Sequence, residues 1–199
     1  MDNYKQRLKG ITTFIFDFDG VLTDGRIWVY KDSWAQRCAS VKDGYALHYA
    51  SKIGYNIAVI SSGSGTSIHE RMNSIGISDV YTEVHSKIDK FYEYIASKNV
   101  HPDEVLYMGD DIPDYEVMRE AGIACCPADA AQEIKDIAHY ISPIKGGEGC
   151  VRDVIEQVLK TRNDWFNGDL LTDEFAADGF ATGNMSASDR AKRDLATKW

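Results

Sequence analysis

No stretch of this 199-residue chain approaches the ~20 apolar residues that a membrane helix needs. The opening, MDNYKQRLKG, is polar and lacks the apolar run of a secretory signal. Cysteine is scarce. Cys38, Cys125, Cys126 and Cys150 show no CxxC spacing, which argues against a zinc ribbon or a disulfide framework and suits small core residues in a reducing compartment. A cytoplasmic protein with no membrane contact is therefore expected. Positive charge is also short: 22 Lys and Arg against 31 Asp and Glu leave a net charge of -9, with no basic stripe to neutralise a phosphate backbone. That argues against a nucleic-acid binder. An anionic substrate would have to be held locally, by a cation or a few aimed donors.

What the chain does contain is apolar material in short, regularly spaced runs. They are ITTFIFDF (11–18), NIAVIS (56–61), DVYT (79–82), EVLYMGD (104–110), IACC (123–126) and HYIS (139–142). Helical patterns fall between them, at about 43–53, 66–75, 87–98, 113–121, 129–138 and 150–160. Continuous apolar strands separated by helices predict an α/β fold, a doubly wound and mainly parallel Rossmann-like sheet covered on both faces. One segment breaks the alternation. GRIWVYKDSWAQRCASV (25–41) carries β-branched and aromatic residues around a polar KDSW turn and reads as a β-hairpin flap. The domain is expected over 1–160. Residues 161–199, rich in Gly, Ala, Ser and Asp, read as a tail outside the core, with a weak helix from about 186 and with Phe175, Phe180 and Trp199 as docking groups.

Candidate chemistry gathers at the carboxyl ends of four successive strands, where doubly wound sheets bind ligands. The first ends in Asp17 and Asp19, the second in Ser61, Ser62 and Gly63, and the fourth in Asp110, Asp111 and Asp114. The loop after the third holds Lys87 and Lys90. Side chains at i and i+2 of a strand share a face, so Asp17 and Asp19 both reach the crevice while Phe18 faces away. Clustered hard carboxylates suit Mg²⁺, which keeps open positions for substrate phosphate oxygens. A hydroxyl, a lysine ammonium and backbone N–H groups are donors for those oxygens. One aspartate of such a pair can attack phosphorus while the other serves as acid and then base. The residues alone do not say which does which. The five histidines form no ligand pattern.

DFDGVLTDG followed by SSG, a lysine and GDDIPD resembles the haloacid dehalogenase superfamily, in the same order over residues 11 to about 160. The resemblance implies Asp17 as nucleophile and Asp19 as general acid/base. It also implies Mg²⁺ held by Asp17, the Asp19 backbone carbonyl and Asp110, with Asp111 and Asp114 behind them. Ser62, Gly63 and Lys87 would bind the transferring phosphoryl group. Within the superfamily, the small flap in place of a cap domain, VKDGYAL (41–47), GDDIPDYEVM and GGEGCVRDVIEQVL (146–159) resemble the 3-deoxy-D-manno-octulosonate 8-phosphate phosphatases. That implies a phosphomonoesterase of lipopolysaccharide sugar biosynthesis, a phosphorylated sugar-acid substrate and a homotetramer assembled through the flap. Lys42, Asp43 and Arg152 are the candidate sugar-acid contacts, and Lys42, Arg152 and the amides of 146–149 the candidate partners for its carboxylate.

Two positions depart from family patterns. A basic residue often follows the glycine of the second motif, where this chain has SSGSGTS with Gly65. The phosphatase of 2-keto-3-deoxynononate 9-phosphate, the alternative sugar acid, has an acidic residue after that glycine, where this chain has Ser64. Other classes of function are a receiver-like phosphoacceptor domain and a non-catalytic companion domain of a sugar-nucleotide enzyme. A receiver carries its acid pair in sequence, whereas DFD alternates along the first strand.

Overall fold

The computed structural model describes residues 4–29 and 35–166. Short helix α1 (Tyr4–Arg7) precedes the first strand, and each of the six apolar runs becomes a strand of one sheet. In chain order these are β1 (Thr13–Phe16), β4 (Asn56–Ile60), β5 (Asp79–Tyr81), β6 (Val105–Met108), β7 (Ile123–Cys126) and β8 (Tyr140–Ile141). The flap supplies β2 (Trp28–Val29) and β3 (Ala35–Gln36). The sheet order is β5-β4-β1-β6-β7-β8, and every pairing in it is parallel. β1 is therefore central, and its chain direction puts residues 17–25 at the carboxyl edge.

All four residues of β1 are buried, as a strand covered on both faces requires. Ile15 and Tyr107 join a core with Phe91, Tyr94 and Ile95 of α4 (Lys87–Lys98), Val117 and Met118 of α5 (Tyr115–Glu120), and Ile134 of α6 (Gln132–Ile137). Phe14 and Phe16, one residue out of phase, point to the opposite face by the two-residue period. Packed together are α2 (Val41–Lys52) and α7 (Cys150–Thr161), and α2 also packs on β4. The remaining helix, α3 (Thr66–Asn73), follows β4.

Two helix boundaries shift from the expected ones for capping reasons. α2 starts at Val41 because the Ser40 hydroxyl accepts from the Asp43 N–H at 3.4 Å. The helix expected at 113–121 opens as a 3-10 turn over Ile112–Asp114, with Pro113 in that turn, before α5 proper.

The flap is antiparallel, with Trp28 opposite Gln36 and Val29 opposite Ala35. A bridge between Thr23 and Ala39 closes its base. Its turn, including Tyr30 and Trp34, lies outside the described residues, as do the expected C-terminal helix, Phe175, Phe180 and Trp199. The compact unit extends past the expected boundary at 160, through Trp165. Tyr55 donates to the Asp164 carboxylate at 3.1 Å, and the Trp165 ring lies 5.2 Å from that of Tyr49. These contacts anchor five residues that composition alone assigns to the tail.

Candidate active site

β1 hands the chain to a tight loop whose first residue continues the sheet: the Asp17 N–H donates to the Met108 carbonyl at 3.0 Å. The Leu22 and Thr23 N–H groups both return to the Phe18 carbonyl at 3.0 Å, closing the turn over the strand end. Gly20 is required here on two counts. Its φ is +94°, and a methyl group on it would lie 2.1 Å from Asp110 Oδ2. The bare backbone at Gly20 thus lets Asp110, arriving from β6, sit against the Asp17 loop.

The result is a cavity of about 270 Å³ lined by Asp17, Asp19, Gly25, Ser61, Ser62, Gly63, Lys87, Asp110, Asp111, Pro113 and Asp114. Every expected member of the phosphate and metal constellation lines it. Carboxylate oxygens of Asp17, Asp110 and Asp114 come within 4.8 Å of one another. Burial, then the neighbouring Asp114 and Asp110 charges, push the Asp17 carboxyl well above the usual range in spite of Lys87. Burial and Asp114 likewise raise Asp110 to about 7, and its Oδ1 is buried with no hydrogen-bond partner. Two crowded carboxyls and an orphaned oxygen are what a divalent cation relieves, so the donor set fits a hard cation such as Mg²⁺.

Asp114 is spoken for. Its Oδ1 accepts from Lys87 Nζ at 2.7 Å and from the Tyr107 hydroxyl at 2.6 Å. Its Oδ2 accepts from the Asp110 N–H at 3.2 Å. It therefore supports the loop from behind, and Asp17 and Asp110 remain as the open carboxylates. Lys87 stands between Asp114 and Asp17, 3.0 Å from Asp17 Oδ1, and is 5% exposed. Burial alone would lower its pKa, but the two carboxylates outweigh it and hold the ammonium charged. Lys90, its sequence rival, pairs with Glu93 and lies 4.9 Å from the centre of the Tyr81 ring, outside the crevice.

The serines sort differently from expectation. The Ser62 hydroxyl donates to the Val84 carbonyl at 2.9 Å, and the Gly63 N–H donates to Ser61 Oγ at 3.0 Å. Both expected phosphate donors, Ser62 and Gly63, line the cavity. The Ser61 hydroxyl proton has no acceptor among the described residues. A residue that the sequence reading passed over is Arg37. Reaching in from the base of the flap, its Nε donates to Asp19 Oδ1 at 2.6 Å. The same oxygen accepts from the Thr23 hydroxyl at 3.4 Å.

The expected sugar-acid contacts are not brought to the crevice within one chain. Asp43 is fully buried and accepts from the Arg152 N–H at 2.7 Å, so it caps α7 rather than meeting solvent. The Arg152 guanidinium binds Glu156 at 2.6 Å and lies 5.4 Å from the Trp165 ring centre. Lys42 is exposed at the start of α2. The GGEG segment is wedged against the Asp17 loop: a methyl on Gly146 would stand 1.9 Å from the Gly20 carbonyl oxygen, and the Gly147 N–H donates to the Val21 carbonyl at 3.0 Å. Its place is a brace under that loop.

The pattern of haloacid dehalogenase-like hydrolases matches residues 67–152. The 3-deoxy-D-manno-octulosonate 8-phosphate phosphatase of Yersinia pestis is 32% identical over 158 residues, covering 79% of this chain and 84% of the relative. That of Escherichia coli K12 is 30% identical over 153 residues, covering 77% and 81%. The Y. pestis crystal structure superposes with a TM-score of 0.80 at 31% identity, covering 82% of this chain and 88% of that one. A Moraxella catarrhalis phosphatase of the same description, solved in complex with magnesium, phosphate and a KDO molecule, gives 0.80 at 28% identity over 89% and 98%.

Proposed function

Because the chain belongs to the 3-deoxy-D-manno-octulosonate 8-phosphate phosphatase family of haloacid dehalogenase-like hydrolases, we propose that it releases phosphate from that eight-carbon sugar-acid ester through an aspartyl phosphate on Asp17. The observation that carries this reading is the convergence of Asp17, Asp19, Ser61, Lys87 and Asp110 on one small cavity at the sheet's carboxyl edge.

In this mechanism Lys87 and the Ser61 hydroxyl hold the phosphoryl oxygens. Asp17, Asp110 and the Asp19 backbone carbonyl would hold Mg²⁺, which would supply the charge neutralisation that lets two anions meet. An Asp17 oxygen bonds to phosphorus as the ester P–O bond breaks, and the departing oxygen takes a proton from Asp19. Water then attacks the acyl phosphate and gives a proton to Asp19, the Asp17–phosphorus bond breaks, and inorganic phosphate leaves. Asp19 is positioned for this by Arg37 and Thr23 on Oδ1, while its Oδ2 faces Gly63: a methyl there would lie 2.8 Å away. Asp111, at the rim, caps the turn that carries Asp114.

A panel of phosphate esters tests the reading. With Mg²⁺, 3-deoxy-D-manno-octulosonate 8-phosphate should exceed glucose 6-phosphate in kcat/KM by about 10–100-fold, the scale of one charge-assisted contact to the leaving group. Equal values would reduce the assignment to a general phosphatase. Stable retention of phosphate with no turnover would favour the receiver-like reading.

The reading includes a cytoplasmic homotetramer. Three buried, unpaired cysteines suit a reducing compartment. On the flap, Ile27, Trp28 and Val29 are 46%, 68% and 79% exposed, a contiguous apolar edge that one chain leaves uncovered. Assembly through this edge would also close the crevice mouth against water. Sedimentation at micromolar concentration should give four times the chain mass of 22.3 kDa, and Trp28→Glu should shift it toward monomer. A monomeric wild type would remove the flap from this role.

A further inference from the structure

Helix α7 starts without a cap of its own. Gly149 holds the N-cap position at φ +122°, and no side chain there accepts from the first turn. That backbone conformation excludes the Ser, Thr or Asp that would ordinarily take an N–H of the first turn. The segment just before it is pressed on the Asp17 loop. A methyl on Gly147 would lie 2.6 Å from the Asp24 nitrogen, so bare backbone is required there as it is at Gly146. The contact with the Asp17 loop thus leaves the helix that follows it uncapped.

The missing acceptor comes from another helix. Arg152 is the third residue of α7, and its N–H donates to Oδ1 of Asp43, in the first turn of α2, at 2.7 Å. Asp43 is 0% exposed, and its Oδ2 is buried with no hydrogen-bond partner among the described residues. Burial pushes this carboxyl up to about 6, against the Arg152 and Gly149 N–H groups that favour its charged form. A half-satisfied buried carboxylate is an expensive way to cap a helix. Its placement calls for a reason beyond the stability of α7.

We propose that Asp43 is a positioning residue for the loop of residues 17–23, acting on it through the N-terminus of α7. This rests on the phosphatase reading above. The path is continuous. Asp43 fixes the first turn of α7, where the Gly147 N–H and the Cys150 thiol both donate to the Val21 carbonyl, at 3.0 Å and 3.3 Å. Val21 stands between Asp19, whose backbone carbonyl is a metal donor in that reading, and Thr23, whose hydroxyl donates to Asp19 Oδ1. Gly20, beside it, is the residue against which Asp110 sits. In the other direction the path reaches the flap. The Thr23–Ala39 bridge closes the flap's base, and α2 follows directly with Ser40 as its cap. Loop, flap, α2 and α7 therefore form a closed ring of chain, and the bond from Arg152 to Asp43 joins its two helices.

Two substitutions separate this role from capping alone. Asp43→Leu nearly keeps the shape and has no acceptor, whereas Asp43→Asn keeps an acceptor oxygen. Turnover is read on 3-deoxy-D-manno-octulosonate 8-phosphate and on p-nitrophenyl phosphate, and Mg²⁺ binding is read as the rise in melting temperature on adding the metal. Folded Asp43→Leu should lose about 10–100-fold in kcat on both esters with KM nearly unchanged, and should need about tenfold more Mg²⁺ for half of the melting shift. Asp43→Asn should recover most of both. A Leu variant that melts lower but keeps wild-type kcat and Mg²⁺ response would make Asp43 a helix cap only and overturn the proposal. A rise in KM for the sugar acid alone would make it a substrate contact and overturn the proposal too. If Asp43→Leu does not fold, Asp43→Ser, too short to reach the Arg152 N–H, is read in the same way. A wild type that turns over neither ester would overturn the phosphatase reading, and the Mg²⁺ melting response of the variants would then decide the role of Asp43 by itself.

Discussion

Asp17→Asn should lower turnover of every phosphate ester by about 10⁴-fold or more while the domain stays folded. The amide matches the carboxylate in shape but is a poor nucleophile and a neutral ligand. Its neighbourhood explains why the fold should tolerate it. In the protein without a cation, Asp17 is raised well above the usual carboxylate range by burial and by Asp114 and Asp110, so a neutral group at this position relieves repulsion. Lys87 loses one partner but keeps Asp114 at 2.7 Å. The melting temperature in chelator should thus stay within a few degrees of wild type. Chemical trapping makes the assignment specific to this residue. Borohydride added to wild-type protein quenched during turnover should reduce the acyl phosphate at position 17 to homoserine, and the variant should yield none. Homoserine at another aspartate, or near-native turnover in folded Asp17→Asn, would take the nucleophile role away from Asp17.

Much of this arrangement was legible in the sequence, and the part that was not has a common cause. The six strands were visible because a doubly covered parallel strand is a continuous apolar run, as TFIF of β1 is. The acid pair was visible because a two-residue spacing fixes a shared face. Ser61 and Ser62 are adjacent hydroxyls at a strand end. Which one remains a free donor depends on the Val84 carbonyl, 22 residues later, a contact that no local pattern encodes. Arg37 sits 18 residues from Asp19 in a polar hairpin, where an arginine reads as surface, and only closure of the flap base buries it. Asp43 and Arg152 looked available because polar residues near a predicted mouth usually are. Asp43 instead accepts from the Arg152 backbone N–H, 109 residues away, and the Arg152 guanidinium pairs with Glu156. In each of these cases strand and helix patterns place the backbone, and the fate of a polar side chain is settled by a partner distant in sequence.

The Lys87–Asp114 pair offers the largest expected stability effect, and it ties the site to the fold. Lys87→Met keeps the buried aliphatic stem and removes the ammonium. Asp17 and Asp114 then face each other with no cation between them, Asp114 being 0% exposed. Breaking a buried ion pair by removing one partner costs about 3–5 kcal/mol, which for a chain of this size lowers the melting temperature by roughly 6–20 °C. Turnover should fall as well, because the phosphoryl group loses its ammonium donor. The pH dependence separates charge from packing. A carboxyl whose folded pKa lies above its unfolded value leaves stability intact below the unfolded value and takes it away as pH rises through the folded one. Asp17 is already such a group, and removing Lys87 raises it further. The variant's deficit should therefore shrink as pH falls and Asp17 takes a proton. Calorimetry in chelator at a series of pH values reads this directly. A deficit of constant size from pH 5 to 7.5 would mean that the methionine is merely a poor fit and that Lys87 is not the charge that lets two aspartates share the end of the central strand.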